Sequence, residues 1–205
     1  GQAAFSKTEL EEITISHAIQ RMESEVFSDC KSLHTVTINE NLPLYTISPF
    51  KNCTALQNVI LSDKVTMIPD ECFYGCTALT TIEITESVTE IGSRAFQNCT
   101  SLSSIVLPDS LITIGSYAFR GCEAITEITI PKNVTTIKEY AFADCTNLQT
   151  MTINSKNAEL YAYVIKDADI LTQINYVGTR ADWESIPKHE KWSVDAEIFT
   201  VFCSD

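Results

Sequence analysis

The chain has 205 residues, of which 44% are hydrophobic, and a formal net charge of −13 at pH 7. This apolar content is enough for a core and argues against a disordered chain. The negative charge disfavours binding to nucleic acids and to anionic lipid surfaces, and no apolar run is long enough to predict a transmembrane helix.

A repeat of 23 residues runs through the chain without insertion. Each of six units has phenylalanine in the same position, at Phe27, Phe50, Phe73, Phe96, Phe119 and Phe142. Cysteine follows three residues later, at Cys30, Cys53, Cys76, Cys99, Cys122 and Cys145. Internal repeats of this length are typical of solenoids, in which stacked units bury a continuous core. We therefore predict one coil per unit.

The first coils depart from this pattern. Leu10, Ile13 and Ile15 fit the strand columns of an earlier unit, but Lys7 stands where cysteine is expected. That unit is therefore predicted to be degenerate or cut. The segment LPLYTISPFKNC, at 42–53, lacks the glycine of the repeat and has Pro49 in place of alanine, which predicts a locally distorted coil.

The unit at 79–101 shows the structure expected of each coil. Ile82 and Ile84 alternate with Glu83, a period of two that predicts a short strand with one buried face. A turn and a second extended segment follow, and Gly92 permits a sharp bend. The segment at 93–99 places alanine, phenylalanine and cysteine at near-helical spacing, which favours a short helical or 3₁₀ turn.

The last coil has the same columns without its aromatic and thiol side chains. Ile165 takes the phenylalanine position and Ala168 the cysteine position, and Leu171, Ile174 and Tyr176 fit the final strand. With parallel strands about 4.8 Å apart, eight coils would form a rod about 35–40 Å long.

The column pattern L-x-x-I-x-I-P-x-x-V-x-x-I-G-x-x-A-F-x-x-C resembles the BspA-like leucine-rich repeats over residues 10–176, most clearly at 79–153. The segment at 176–199 resembles the closing segment of such arrays, with Gly178, Thr179 and Trp183 in the expected places. The resemblance implies a strand-rich α/β leucine-rich-repeat solenoid, with parallel strands on the concave face and short helical or 3₁₀ turns opposite. The solenoid would span 1–176 and a C-terminal cap 177–205, as one folding unit.

The resemblance also implies a function. It points to a secreted or surface-attached microbial protein that binds a protein, such as a host extracellular or surface protein, without catalysis. Two alternatives stay open, a structural spacer that projects another domain and a carbohydrate-binding surface. The chain opens with Gly1 and no basic or apolar leader, which favours a trimmed chain.

The residues themselves favour neither a metal nor a cofactor. The periodic cysteines lack the paired spacing of zinc ligands, and His17, His34 and His189 share no repeat column. No nucleophile elbow, phosphate loop or His-Glu zinc motif indicates an enzyme. We expect the cysteines to be buried and reduced, although the spacing of stacked coils would also permit disulfides.

Three N-x-Thr sequences, at Asn52, Asn98 and Asn133, could accept glycans. Two of these asparagines lie on the predicted turn of the repeat. A structural role of asparagine in the turn, with threonine as a capping residue, is the favoured interpretation.

Two columns are candidate partner-binding surfaces. The favoured one is the exposed strand column of Thr37, Ile60, Glu83, Val106, Thr129 and Thr152, whose neighbours Asn58, Thr81, Ser104 and Glu127 are small or polar. The alternative is the column before the Ala-Phe pair, formed by Arg94, Tyr117, Tyr140 and Tyr163. The strand column has no aromatic anchor, and the tyrosine column could simply join neighbouring coils.

Overall fold

The computed structural model describes residues 2–16, 22–42, 46–193 and 199–204, and His17 lies outside these ranges. The chain winds into a solenoid of about eight coils with about 23 residues each and almost no helix. This confirms the predicted strand-rich solenoid.

Each coil contributes one principal strand, and most add a two-residue strand. The principal strands are β1 (Glu12–Ile15), β2 (Thr35–Ile38), β3 (Asn58–Leu61), β5 (Thr81–Glu83), β7 (Ser104–Val106), β9 (Glu127–Ile130), β11 (Thr150–Ile153), β13 (Gln173–Tyr176) and β14 (Thr200–Cys203). The short strands are β4 (Met67–Ile68), β6 (Glu90–Ile91), β8 (Thr113–Ile114), β10 (Thr136–Ile137) and β12 (Glu159–Leu160).

All the strand pairs are parallel. Hydrogen-bonded ladders join β1-β2-β3, β5-β7 and β9-β11-β13-β14, and the short strands form a second sheet, β4-β6-β8-β10-β12. Paired residues are offset by one 23-residue repeat, as in Thr37 with Ile60. The pair of β13 and β14 has a larger offset, because Asn175 pairs with Phe202.

The segment opposite the principal strands is a series of overlapping β-turns. In one coil, the amides of Ala95, Gln97 and Cys99 donate to the carbonyls three residues earlier. Arg94 and Asn98 have φ values of +56° and +59°, which interrupt a helix because that conformation is left-handed. The predicted helical or 3₁₀ turns are therefore not confirmed, and within the described ranges the helix is α1, Arg180–Ser185.

A column of phenylalanine rings forms the centre of the core. Seven rings stack from coil to coil, with centroids 5.3 to 5.9 Å apart, from Phe5 to Phe142. Phe50, Phe73, Phe96 and Phe119 are fully buried, and Ile165 continues the column in the last coil. Burial of one phenylalanine thus depends on the coils on both sides of it.

The periodic cysteines link each coil to the preceding one. The thiol of Cys99 donates to the carbonyl of Phe73 at 3.1 Å, and five other periodic cysteines make the equivalent bond. All eight cysteines of the chain are free, and seven of them are buried. The cysteine column therefore consists of reduced thiols that satisfy buried carbonyl groups.

The first described coil differs from the prediction in one position. Thr8, rather than Lys7, occupies the cysteine position, since its hydroxyl lies 3.4 Å from the Cys30 thiol. Lys7 instead has a φ of +59°, like Asp29 in the next coil. The interval between these two turns is one residue shorter than the repeat. A constant interval of 23 therefore placed Lys7, instead of Thr8, in the cysteine position. The strand at Ile13 and Ile15 is in the predicted register.

The second irregular coil lies partly outside the described residues, because residues 43–45 are not described. Its turn keeps the geometry of the repeat despite Pro49. Ser48 has a φ of +56°, the amide of Cys53 donates to the carbonyl of Phe50, and Phe50 is fully buried. The predicted distortion is therefore absent from the described part of this turn.

The described chain after Tyr176, at 177–193 and 199–204, packs along the last coil. Thr179 caps α1 with its side chain, and Asp182 completes a capping box. The ring of Trp183 meets that of Tyr176 edge to face at 5.3 Å. The amide of Tyr163 donates to the carbonyl of Lys191, so this segment also provides hydrogen-bond partners for the last coil.

Candidate functional site

The strand face is the outward surface of the principal strands. Its central column contains the predicted residues Thr37, Ile60, Glu83, Val106, Thr129 and Thr152. The strand register pairs Thr37 with Ile60, Glu83 with Val106, and Thr129 with Thr152. The same register adds Thr14 at one end and Asn175 and Phe202 at the other. A parallel column has its members in register on the same strands, at Glu12, Thr35, Asn58, Thr81, Ser104, Glu127, Thr150, Gln173 and Thr200.

Three apolar side chains project from the strand face. Val106 is 77% exposed, Ile60 is 55% exposed and Phe202 is 52% exposed. Phe202 is the aromatic residue that the sequence appeared to lack on this face. Sequence analysis missed it because β14 follows the last repeat at an offset that differs from 23 residues. The segment TVFC alternates outward and inward residues, with Val201 and Cys203 inward. This alternation was the sequence signal that could have identified the strand and placed Phe202 on its outer face.

Shallow depressions accompany these side chains. One is lined by Ile60 and Glu83, another by Val106 and Thr129, and a third by Asn175 and Phe202. They are open grooves between neighbouring strands rather than enclosed cavities. Such a surface suits a broad macromolecular contact better than a buried small molecule.

The charges of the strand face are all negative. Its two columns contain Glu12, Glu83 and Glu127, and neither lysine nor arginine. Among the described residues, the carboxylates of Glu83 and Glu127 have no salt bridge. Acidic residues on the turns, in contrast, do form salt bridges. The carboxylate of Asp144, for example, lies 2.5 Å from the guanidinium of Arg120.

The turn column is the alternative candidate. It has left-handed backbone in every described coil, at Ala3, Glu25, Ser48, Glu71, Arg94, Tyr117, Tyr140 and Tyr163. The Cβ atom makes this conformation costly for residues other than glycine, because it comes too close to a backbone carbonyl oxygen. Glu25, Glu71 and the tyrosines are half-buried, Arg94 is exposed and Ser48 is buried. The column is therefore only partly open to solvent.

Side chains of the turn column contact one another along the rod. Tyr140 stacks between Tyr117 and Tyr163, with ring centroids 4.8 and 4.9 Å away. The guanidinium of Arg94 lies 5.2 Å from the centre of the Tyr117 ring and 3.5 Å from the carboxylate of Glu71. These contacts cover the ring faces, which favours a role in joining the coils.

The acid at the start of this ladder is held in its charged form. The pKa of Glu71 lies below its usual value: burial opposes the shift, but hydrogen bonds from Lys51 and Ser48 outweigh it. The same contact raises the pKa of Lys51. The charges of Glu71 and Arg94 are thus neutralised within the molecule.

The buried thiols have the electrostatics of inert groups. Removal from water raises the pKa of Cys53, Cys99 and Cys145 to about 12, and that of Cys122 rises well above its ordinary value for the same reason. A thiolate is the reactive form of cysteine, so these residues are unsuited to nucleophilic or redox chemistry.

The asparagines of two N-x-Thr sequences have structural roles. Asn52 and Asn98 have φ values of +58° and +59°, a conformation that asparagine tolerates better than most residues. The side chain of the third, Asn133, donates to the carbonyl of Asp109 at 2.8 Å. These contacts support the interpretation that the three asparagines serve the turns.

Within the described ranges, no three His, Cys, Asp or Glu side chains come together in a group able to hold a metal ion. No helix in those ranges has the length and apolar character needed to cross a bilayer.

The family model described as a BspA type leucine rich repeat region matches residues 1–99 and 66–185, with six copies. The chain belongs to the BspA-type leucine-rich-repeat family. Comparison with curated proteins gives no match.

Solved structures of bacterial leucine-rich-repeat proteins are similar. A leucine-rich-repeat protein of T. pallidum is 28% identical with a TM-score of 0.64, covering 72% of this chain and 71% of that one. A leucine-rich cell surface protein of Faecalibacterium prausnitzii is 23% identical with a TM-score of 0.62, covering 90% of this chain. The BspA-type chain spans 64% of that second protein, and this likeness shows the shared fold.

Proposed function

We propose that this BspA-type chain is a non-catalytic protein-binding or adhesion module of a secreted or cell-surface bacterial protein, and that it binds its partner through the strand face. Membership of the family and the similarity to a bacterial cell surface protein support this location.

The observation that carries the proposal is the row of exposed apolar side chains on strands that are each held in a parallel ladder. Ile60, Val106 and Phe202 are all more than half exposed, although each lies on a strand whose inward residues are packed. Exposed apolar groups on a soluble surface commonly mark interaction sites. Since the backbone beneath them is fixed by parallel ladders, little conformational entropy would be lost on binding.

The test requires a captured partner and two double variants. The immobilised chain is used to capture proteins from host extracellular material, and a captured protein is then titrated directly. Ile60→Glu with Val106→Glu should abolish this binding, because it places charge in the apolar part of the contact. The melting temperature should change little, since both side chains point into solvent.

Tyr117→Ala with Tyr140→Ala is the matched control on the opposite surface. It should leave binding intact and lower the melting temperature by removing stacked rings. If this variant loses the partner while the strand-face variant binds normally, the turn column is the binding site and the strand-face assignment is wrong.

A spacer function is the second candidate, favoured by the continuity of the core. The phenylalanine stack and the thiol-to-carbonyl bonds run unbroken from Phe5 to Cys145, as a stiff rod requires. A pure spacer would show no saturable binding by the strand face. Carbohydrate binding is less favoured, because the tyrosine faces already contact one another.

A further inference from the structure

If the strand face is the binding surface, its chemistry also limits the partner. We propose that the partner is a cationic protein segment that places a lysine or arginine against Glu83, between two apolar side chains that contact Ile60 and Val106. This inference rests on the proposed function and specifies the chemistry of its partner.

The first argument is the spacing of the three side chains. Ile60, Glu83 and Val106 occupy the same column in three successive coils. β3 and β5 are not joined by a ladder, but Ile60 and Glu83 line one depression and Glu83 and Val106 line the next, so the carboxylate lies between the two apolar groups. All three are exposed, which makes an apolar–acidic–apolar strip available to one partner element.

The second argument is the cost of covering Glu83. A partner that contacts both Ile60 and Val106 must remove water from the carboxylate between them. An unpaired carboxylate is expensive to desolvate, and an opposing cation offsets that cost. The described residues offer no such cation, because none of their salt bridges involves Glu83 and the two strand-face columns contain no lysine or arginine.

The third argument excludes other occupants. A second copy would bring Glu83 and Glu127 of one strand face against the same acids of another, which is repulsive. Nucleic acid and anionic membranes are repelled by the net charge of −13. The same charge attracts a cationic protein and accelerates its approach at low ionic strength.

The experiment uses a display library of a small helical protein scaffold with randomised surface residues as the probe. Binders are selected on the immobilised full chain, and clones that also bind an Ile60→Ser, Val106→Ser variant are removed. The remaining clones address the strand face. We expect their randomised positions to be enriched in lysine and arginine next to apolar residues.

Glu83→Gln should weaken the selected binders by about tenfold, equivalent to roughly 1.4 kcal/mol. Glu90→Gln is the matched control, because it makes the same charge change at an exposed residue of β6, in the second sheet. It should change affinity by less than about twofold. Binding to the unmodified chain should also slow as salt is raised.

The possible outcomes separate the two proposals. Strand-face clones that are neutral or acidic, and indifferent to Glu83→Gln, would overturn the cationic partner and leave the strand face as the site. If every clone tolerates the Ile60→Ser, Val106→Ser change, the strand-face function itself fails. A dimer of the unmodified chain that this double variant dissociates would identify a second copy as the occupant, against our proposal.

Discussion

At the residue scale, the phenylalanine column shows how one side chain stabilises three coils. The Phe96 ring lies 5.4 Å from that of Phe73 and 5.3 Å from that of Phe119, and it is fully buried. Phe96→Ala should reduce the free energy of unfolding by about 3–5 kcal/mol, because it leaves a cavity between two stacked neighbours. Thermal and denaturant unfolding measure this loss.

Val106→Ala provides a comparison in the adjoining region of the solenoid. Its side chain is largely exposed, so truncation should alter the melting temperature by less than about two degrees. A Phe96→Ala protein with an equally small shift would show that this ring is not part of a packed core.

Thiol reactivity tests the electrostatics of individual cysteines. The native protein should react rapidly at no more than one cysteine, Cys203, which is the partly exposed one among the eight. In denaturant all eight should react, because unfolding restores water to the buried thiols and returns their pKa values from about 12 toward normal. A thiol-specific chromogenic reagent counts both populations.

A Cys203→Ser variant should remove the fast native reaction and leave the slow groups unchanged. Recovery of two or fewer thiols from the denatured protein would instead mean that the column is oxidised. That result would replace the thiol-to-carbonyl bonds by disulfides between coils.

At the element scale, the strands were predictable and the turns were not. The alternation around Ile82 and Ile84 indicates a half-buried strand directly, because inward and outward positions differ in polarity. The spacing of apolar residues at 93–99 fits a helix as well as a series of β-turns. Only the backbone φ values distinguish these two structures. Arg94 in a left-handed conformation is not an expected turn signal, since glycine or asparagine is typical there.

The candidate site was predictable over the regular coils and incomplete beyond them. A constant offset of 23 places Thr37, Ile60 and Val106 in one column. The same arithmetic fails for Phe202, because its strand returns to the sheet after α1 and the following chain. It fails for Thr8 for the opposite reason, because the chain between this residue and β1 is one residue shorter than in the repeat.

At the scale of the whole molecule, a solenoid core is open at its ends unless other residues cover it. Tyr176 belongs to the last coil, and Trp183, Trp192 and Phe199 follow it in a chain of edge-to-face contacts with centroids 5.3 to 5.8 Å apart. We propose that residues 177–205 form a cap, which repeat arrays need for solubility. The sheet continues into this segment through β14, so cap and solenoid would unfold together.

Deletion of residues 177–205 tests the cap. It would uncover Tyr176 and Leu160, which are buried in the intact chain, and would leave β13 as an unpaired edge, which favours association. We expect a lower melting temperature and aggregation in light scattering. Trp183→Ala should show a smaller loss in the same direction without removing β14. A truncated chain that stays monomeric and melts at the original temperature would show that these residues are an appendage rather than a cap.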